Sequence, residues 1–549
     1  MGVYWFAAKR QTEIPDKSMM QILRGLAPFN RLVCSLGYST ARAEVIGLAI
    51  DGDQGSQMEI QRKMVNSDPK LMHTNEVVRP PISVLLQRTV REGSLFAPLG
   101  VALGALLMAW PALYNGFPLL YPDTLEYVSG GRAVAAAILL NHRSSFYGVR
   151  SLIYSLGILP FHLGGTIWPI VALQCLLTSW VLWLVFRSIA QRKMWIQFLV
   201  FMMLLSLLSS LSWYGAYVMP DILGPDLYLC IFLLLIAPDS TSRTERTTLY
   251  MISWWAIASH ATHLLIAIAI CIVLVVLAIF QRMPFRRYLG ITTKLAMIFL
   301  PPIVAQVSLN AFLYGSPSLE GNHPPFFTAR LIADGPGRWY LEKNCVGSGW
   351  EMCHFVDNLS GSSNRFLWGS DGVWENATSN SRTLILHQDL PLAIAILRRY
   401  PRDQFLRSAG NVVEQLATFN LDGFGPHPYI SAHISQALPR AQWKYFESRQ
   451  ARNQLPLRLF DSIQRGTVAA SLTGVGMLLP WFWRCRPKKL MVLGLVIAAG
   501  IVGNAVVTGT LSMVDGRFGS RVAWLAPFFA GLCFVRMAEG RRNIARRGK

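Results

Sequence analysis

Charge is what this chain of 549 residues has least of. Asp, Glu, Lys and Arg together make up 15% of it, against roughly 25% in an average soluble protein. That is too little to coat a globule of this size. Acidic residues are the scarcer kind: 30 against 51 basic ones, for a net charge of +21. No internal repeat or low-complexity tract is present. Residues 1–92 have no long apolar run and no secretory signal pattern. Hydrophobic residues, by contrast, make up 52%, with 17 Trp, 28 Phe and 17 Tyr. So many aromatics need an apolar place to bury in, which excludes fibrous and disordered classes.

The missing charges leave long gaps. Thirty uncharged residues separate Glu92 from Asp123, 36 separate Arg150 from Arg187, and 27 separate Lys193 from Asp221. Thirty-five lie between Arg246 and Arg282, 25 between Lys294 and Glu320, 18 between Arg465 and Arg484, and 25 between Lys489 and Asp515. A helix needs about 20 apolar residues to cross the hydrocarbon. Runs this continuous are helical rather than alternating barrel strands. The expected fold class is therefore an all-α polytopic membrane protein.

Basic residues sit in clusters between the runs: Arg187, Arg192 and Lys193; Arg282, Arg286 and Arg287; Arg484, Arg486, Lys488 and Lys489; and the tail from Arg536 to Lys549. The positive-inside rule makes all four cytoplasmic. The net charge is then an orientation signal rather than a nucleic-acid patch. Residues 114–150, 213–226, 314–465 and 508–517 fall outside. The run from Thr247 to Gln281 has cytoplasmic charges at both ends, and one helix of that length would measure about 52 Å. Two spans meeting around His260 fit better. The expectation is about ten transmembrane helices with both termini cytoplasmic, and a juxtamembrane helix over 144–160.

Four segments follow from this reading. Residues 1–92 are expected to be a poorly ordered cytoplasmic extension. Residues 93–313 form a transmembrane region with a first outer loop at 114–150. Residues 314–465 form an α-rich extracytoplasmic domain, and residues 466–549 hold three final spans and a basic tail. Only Cys345 and Cys353, of eight cysteines, fall in the outer segment, which predicts a disulfide in an oxidising compartment.

Chemistry is expected at the outer face. The first loop places Asp123 and Glu126 just past the first span, and a carboxylate at a membrane edge is costly enough to suggest function. The competing reading makes Asp123 the N-cap of a helix starting at Thr124, with Glu126 completing a capping box. Arg143, Arg517 and Arg521 are candidates for gripping a phosphate, because the guanidinium fork is bidentate and stays charged; the alternative for the last two is snorkelling at a helix end. Asp221 and Asp226 near a helix N-terminus can bind substrate or a divalent metal, or merely suit the helix dipole. His260 and His263 share a helical face and suit hydrogen bonding or phosphate better than a metal, which needs more ligands. Trp213, Tyr214 and Tyr217 read as an interfacial belt.

An Asp directly after the first span, then a juxtamembrane helix, resembles the C-type (GT-C) glycosyltransferases over about residues 95–313. The segments ARLIADGPGRWYL, FLWGSDGVW and GRFGSRVAWL look like an uncharacterised bacterial membrane-protein family, which supplies no activity. The GT-C resemblance implies a polyprenyl-phosphate-linked sugar as donor, a cell-envelope acceptor, a bacterial inner membrane setting, and an acceptor-side role for Asp123. The family's frequent second acidic residue is missing, since Thr124 follows Asp123. An O-antigen polymerase or ligase, a transporter, and an assembly protein are the alternatives. Against transport, no inverted repeat is visible and the polar groups lie at one face.

Overall fold

A computed structural model describes residues 96–547, apart from residues 141–149, 164, 191–194, 283, 316 and 320–322. Residues 1–92 and Arg143 lie outside the described residues. The structure is 81% helix and, among the described residues, has no strand. Among the described residues, five helices are long and apolar enough to cross a membrane, and three shorter apolar ones accompany them. This fits a multi-pass membrane protein.

The principal helices, in chain order, begin with α1 (Phe96–Met108), α2 (Pro122–Leu140), α3 (Trp168–Ile189), α4 (Trp195–Leu208) and α5 (Leu223–Leu235). Next come α6 (Arg243–Ser259), α7 (Ala261–Phe280) and α8 (Phe285–Tyr314). The segment between α8 and α13 contributes α9 (Phe326–Asp334), α10 (Ser379–Arg399), α11 (Pro401–Ala417) and α12 (Pro428–Ala437). The chain ends with α13 (Leu457–Met477), α14 (Lys488–Leu511), α15 (Gly516–Ala523) and α16 (Leu525–Arg547).

Local chemistry sets the boundaries. Ser242 and Glu245 form a reciprocal capping box at the start of α6. Glu245 also takes two 2.9 Å bonds from Arg187 at the end of α3. The long run from Thr247 breaks at His260, whose extended backbone ends α6 and whose side chain caps α7 by accepting from Thr262 N. Ser151 caps a short helix, Leu152–Ile158, the described part of the expected juxtamembrane helix. Helix α5 is central: its residues Leu223–Leu234 are all buried, and α3, α6, α7 and α14 pack around it.

The segment between α8 and α13 contains two kinds of packing. Residues from Ala329 to Ile396 build a core of their own around Leu341, Phe366 and Leu392. Residues from Leu421 to Tyr445 instead join the main core of the long helices. The expected domain at 314–465 therefore does not pack as one body: its later third is part of the main helical core. Cys345 and Cys353 are joined by a disulfide.

Candidate functional site

The site forms where the loop before α2 meets α15. Gln450, fully buried, holds that loop by its backbone: it accepts from Leu120 N at 3.0 Å and donates to Leu120 O at 2.8 Å. Leu119 adds two backbone bonds, from its N to Ala216 O and from Val218 N to its O. Pro122 then opens α2, since its fixed φ suits a first helical turn and its missing N–H costs nothing there. Thr124 does the local capping, accepting from Tyr121 N and donating to Val218 O, both at 3.0 Å.

This overturns the capping alternative for Asp123. The helix starts before it, and its carboxylate turns to arginines instead. Arg150 donates to Asp123 Oδ1 at 2.6 Å, and Arg517 Nη1 lies 3.8 Å from Oδ2. Glu126 joins the same group, its Oε2 3.9 Å from Arg150 Nε. That oxygen is enclosed and has no hydrogen-bond partner. Burial pushes the Glu126 carboxyl up to about 6, with Asp123 adding to the rise and Arg150 opposing it.

Arg517 is held from the other side. Asp515 caps α15 by accepting from Arg517 N at 2.7 Å, and Tyr214 donates to Arg517 O at 2.6 Å. The segment around Thr418–Asn420 crosses α15 at backbone distance. A Cβ at Gly519 would meet Thr418 O at 2.1 Å, so that position needs glycine, while one at Gly516 would meet the Asn420 side-chain amide at 2.2 Å. The guanidinium lies over the Tyr121 ring, 4.3 Å from its centroid. Its Nε and Nη1 are buried and make no hydrogen bond. A cleft of about 370 Å³ opens here, lined by Tyr121, Asn420, Asp422, Asp515 and Arg517 among others.

One turn further along α15, Arg521 is only 1% exposed. It donates to Asn504 Oδ1 twice, at 2.9 and 2.7 Å, and reaches Asp221 Oδ1 and Thr262 Oγ1, each at 3.4 Å. A snorkelling reading fails for it, because the side chain points into protein rather than toward water.

The sequence-predicted residues therefore divide. Asp123, Glu126 and Arg517 meet in one cluster. Asp221 and Arg521 lie beneath it, and the charge of Asp221 reaches Arg517. His260 feels Arg521, Arg517 and Arg150, yet its Nδ1 serves the cap of α7. The His263 Nδ1 pairs with Ala256 O at 2.9 Å, and its Nε2 is buried without a partner. Asp226 does not join Asp221: it points to α3 and accepts from Thr178 Oγ1 at 2.7 Å. Among the described residues, no group of three His, Cys, Asp or Glu side chains could hold a metal ion. Trp213, Tyr214 and Tyr217 are core rather than interfacial belt, fully buried around Phe424.

Sequence reasoning missed Arg150, Tyr121, Gln450, Asn504 and His427, whose ring centroid lies 6.5 Å from that of Tyr121. A polar Asn inside the apolar run of α14 was the one readable signal among them. No protein-family model, curated protein or solved structure matches this chain.

Proposed function

We propose that the protein is a glycosyltransferase of the bacterial inner membrane, moving a sugar from a polyprenyl-phosphate donor to a cell-envelope acceptor at the outer face. In this reading α1, α3–α8, α13, α14 and the α15–α16 pair cross the membrane, ten passes in all, with both termini cytoplasmic and residues 315–456 outside. The observation that carries it is the pairing of Asp123 with Arg517, the latter a lining residue of the cleft. A carboxylate stands beside an arginine whose Nε and Nη1 have no hydrogen-bond partner, and these are the two groups that this chemistry calls for.

The chemistry assigns roles. The acceptor hydroxyl oxygen forms a bond to the anomeric carbon while the bond from that carbon to the phosphate oxygen breaks. Its electron pair stays on the phosphate, and the hydroxyl proton passes to the enzyme. The Arg517 guanidinium meets the growing phosphate charge. Asp123, fixed by Arg150, orients the hydroxyl through Oδ2 and accepts its proton late, because a sugar hydroxyl is a very weak acid. Tyr121 offers a flat face to the sugar.

The test uses purified wild type and Asp123→Asn in lipid, following sugar release from a radiolabelled polyprenyl-phosphate donor onto envelope acceptors. Transfer by the wild type and its collapse in the variant support the assignment. A wild type that leaves every such donor untouched, or a variant at full rate, refutes it.

A further inference from the structure

Helix α11 is amphipathic the wrong way round for a water-soluble surface. Gln404, Ser408, Asn411 and Gln415, at helical spacing, face the protein. Gln404 and Asn411 donate to the two carboxylate oxygens of Asp334 at 2.6 and 3.0 Å. Gln415 donates to Asp515 O and accepts from Asp515 N, at 3.0 and 2.9 Å. The other side, at the same spacing, carries Phe405, Leu406, Ala409, Val413 and Leu416, and all five are exposed. Phe405 is 72% and Val413 69% open. A third side carries Asp403, Arg407 and Glu414, and Glu414 lines the cleft. In water such a helix would turn its apolar stripe inward.

What covers the stripe follows from its neighbour. Helix α11 packs along α14, a candidate span. The contact is backbone-close: a Cβ at Gly509 would meet Asn411 O at 3.0 Å. Gly509 is two residues, about 3 Å, from the end of α14 opposite Lys488 and Lys489, so the middle of α11 sits level with the outer end of the apolar span. The outward residues of α14, Val502, Val506 and Leu511, are apolar and open too. The apolar surface thus runs from the span onto α11. Exposed Arg398, Arg399 and Arg402 stand where α10 turns into α11.

We propose that α11 lies in the outer leaflet, its Phe405–Leu416 face among acyl chains and the arginines at its start among lipid phosphates. Interfacial helices bury such a face about 5–10 Å into the headgroup boundary. Helix α11 then forms the wall between bilayer and cleft, with lipid on one side and Glu414 on the other. This inference rests on the membrane reading and is independent of sugar transfer.

The test replaces Phe405, Val413 or Glu414 singly by Cys in the full chain carrying Cys34→Ser and Cys485→Ser. Each is spin-labelled and reconstituted into phosphatidylcholine–phosphatidylglycerol vesicles. Labels at 405 and 413 should collide more with lipid-soluble oxygen than with a water-soluble nickel chelate, and the label at 414 should show the reverse. Nickel access at 405 and 413 equal to that at 414 would overturn the proposal. So would shielding from both reagents, which would mean that a second copy of the chain covers the stripe.

Discussion

Two arginines on α15, four residues apart, have opposite fates. Arg521 is sealed in protein, and Asn504, Asp221 and Thr262 take up its donors. Arg517 lines the cleft, with its Nε and Nη1 enclosed and without hydrogen bonds, and its charge is answered by Asp123 at 3.8 Å and by the Tyr121 ring. In the first arrangement every guanidinium nitrogen of Arg521 has a partner, and the oxygen left over is Asp221 Oδ2. A buried charge has to be answered that fully to be tolerated at all. The second leaves two nitrogens without partners, which is the feature that the proposed phosphate-binding role draws on.

Breaking the sealed pair should have the largest effect. Arg521→Met strands Asp221 in the core, and removing one partner of a buried pair costs about 3–5 kcal/mol. Fluorescence-detected gel filtration after heating should show early loss of the folded peak. Adding Asp221→Asn should recover part of the loss, and no recovery would mean that Arg521 acts through packing instead.

Asp123→Asn comes next and should act on rate: losing a positioned base costs about 10²–10⁴-fold in transfer, with a smaller loss of thermal stability than Arg521→Met. Arg517→Gln sharpens the contrast. Hydrogen bonds to charged groups are worth about 1.5–3 kcal/mol, so donor binding should weaken roughly ten- to 100-fold while the protein stays folded. Equal thermal damage from Arg517→Gln and Arg521→Met would erase the distinction between the two sites.

Cutting the Cys345–Cys353 bridge, which closes a short loop beside the separate core around Leu341, should cost about 2–3 kcal/mol in the loop-entropy account. Limited proteolysis of the Cys345→Ser/Cys353→Ser variant should show cleavage confined to residues 326–396.

The smallest effect concerns Glu126. Its carboxyl is raised from 4.5 to about 6 in the folded chain, so the native state holds this proton more tightly than the unfolded one. The stability it contributes is present at low pH and is lost as pH rises through about 4.5 to 6. Glu126→Gln should flatten that part of a melting-temperature profile. A third of the Glu126 side chain reaches the surface, which keeps the expected slope shallow. An unchanged profile would show that Glu126 titrates normally.

Helicity and apolar spans were legible because each is a local property: an uncharged run must be helical in lipid whatever surrounds it. The break at His260 was legible for the same reason, since one helix from Thr247 to Gln281 would be too long. Asp123 and Arg517 could be nominated one at a time, as charges at the ends of apolar runs. Their meeting could not be read, because some 390 residues separate them and nothing in either segment names the other. Arg150 was hidden by its usefulness as a boundary marker. Trp213, Tyr214 and Tyr217 were misplaced because an interfacial aromatic and a core aromatic look alike until Phe424 folds back onto them.

Composition and charge spacing alone thus determined the all-helical apolar architecture and the scarcity of polar groups within it, because backbone satisfaction in an apolar medium leaves a chain little choice. Tertiary structure decided which of those polar groups became partners. It paired Arg521 with Asn504 and Asp221, set Arg517 against Asp123 and Tyr121, and turned the glutamines of α11 inward. Each pairing joins elements distant in sequence, and its energy exists only once burial removes the competing water.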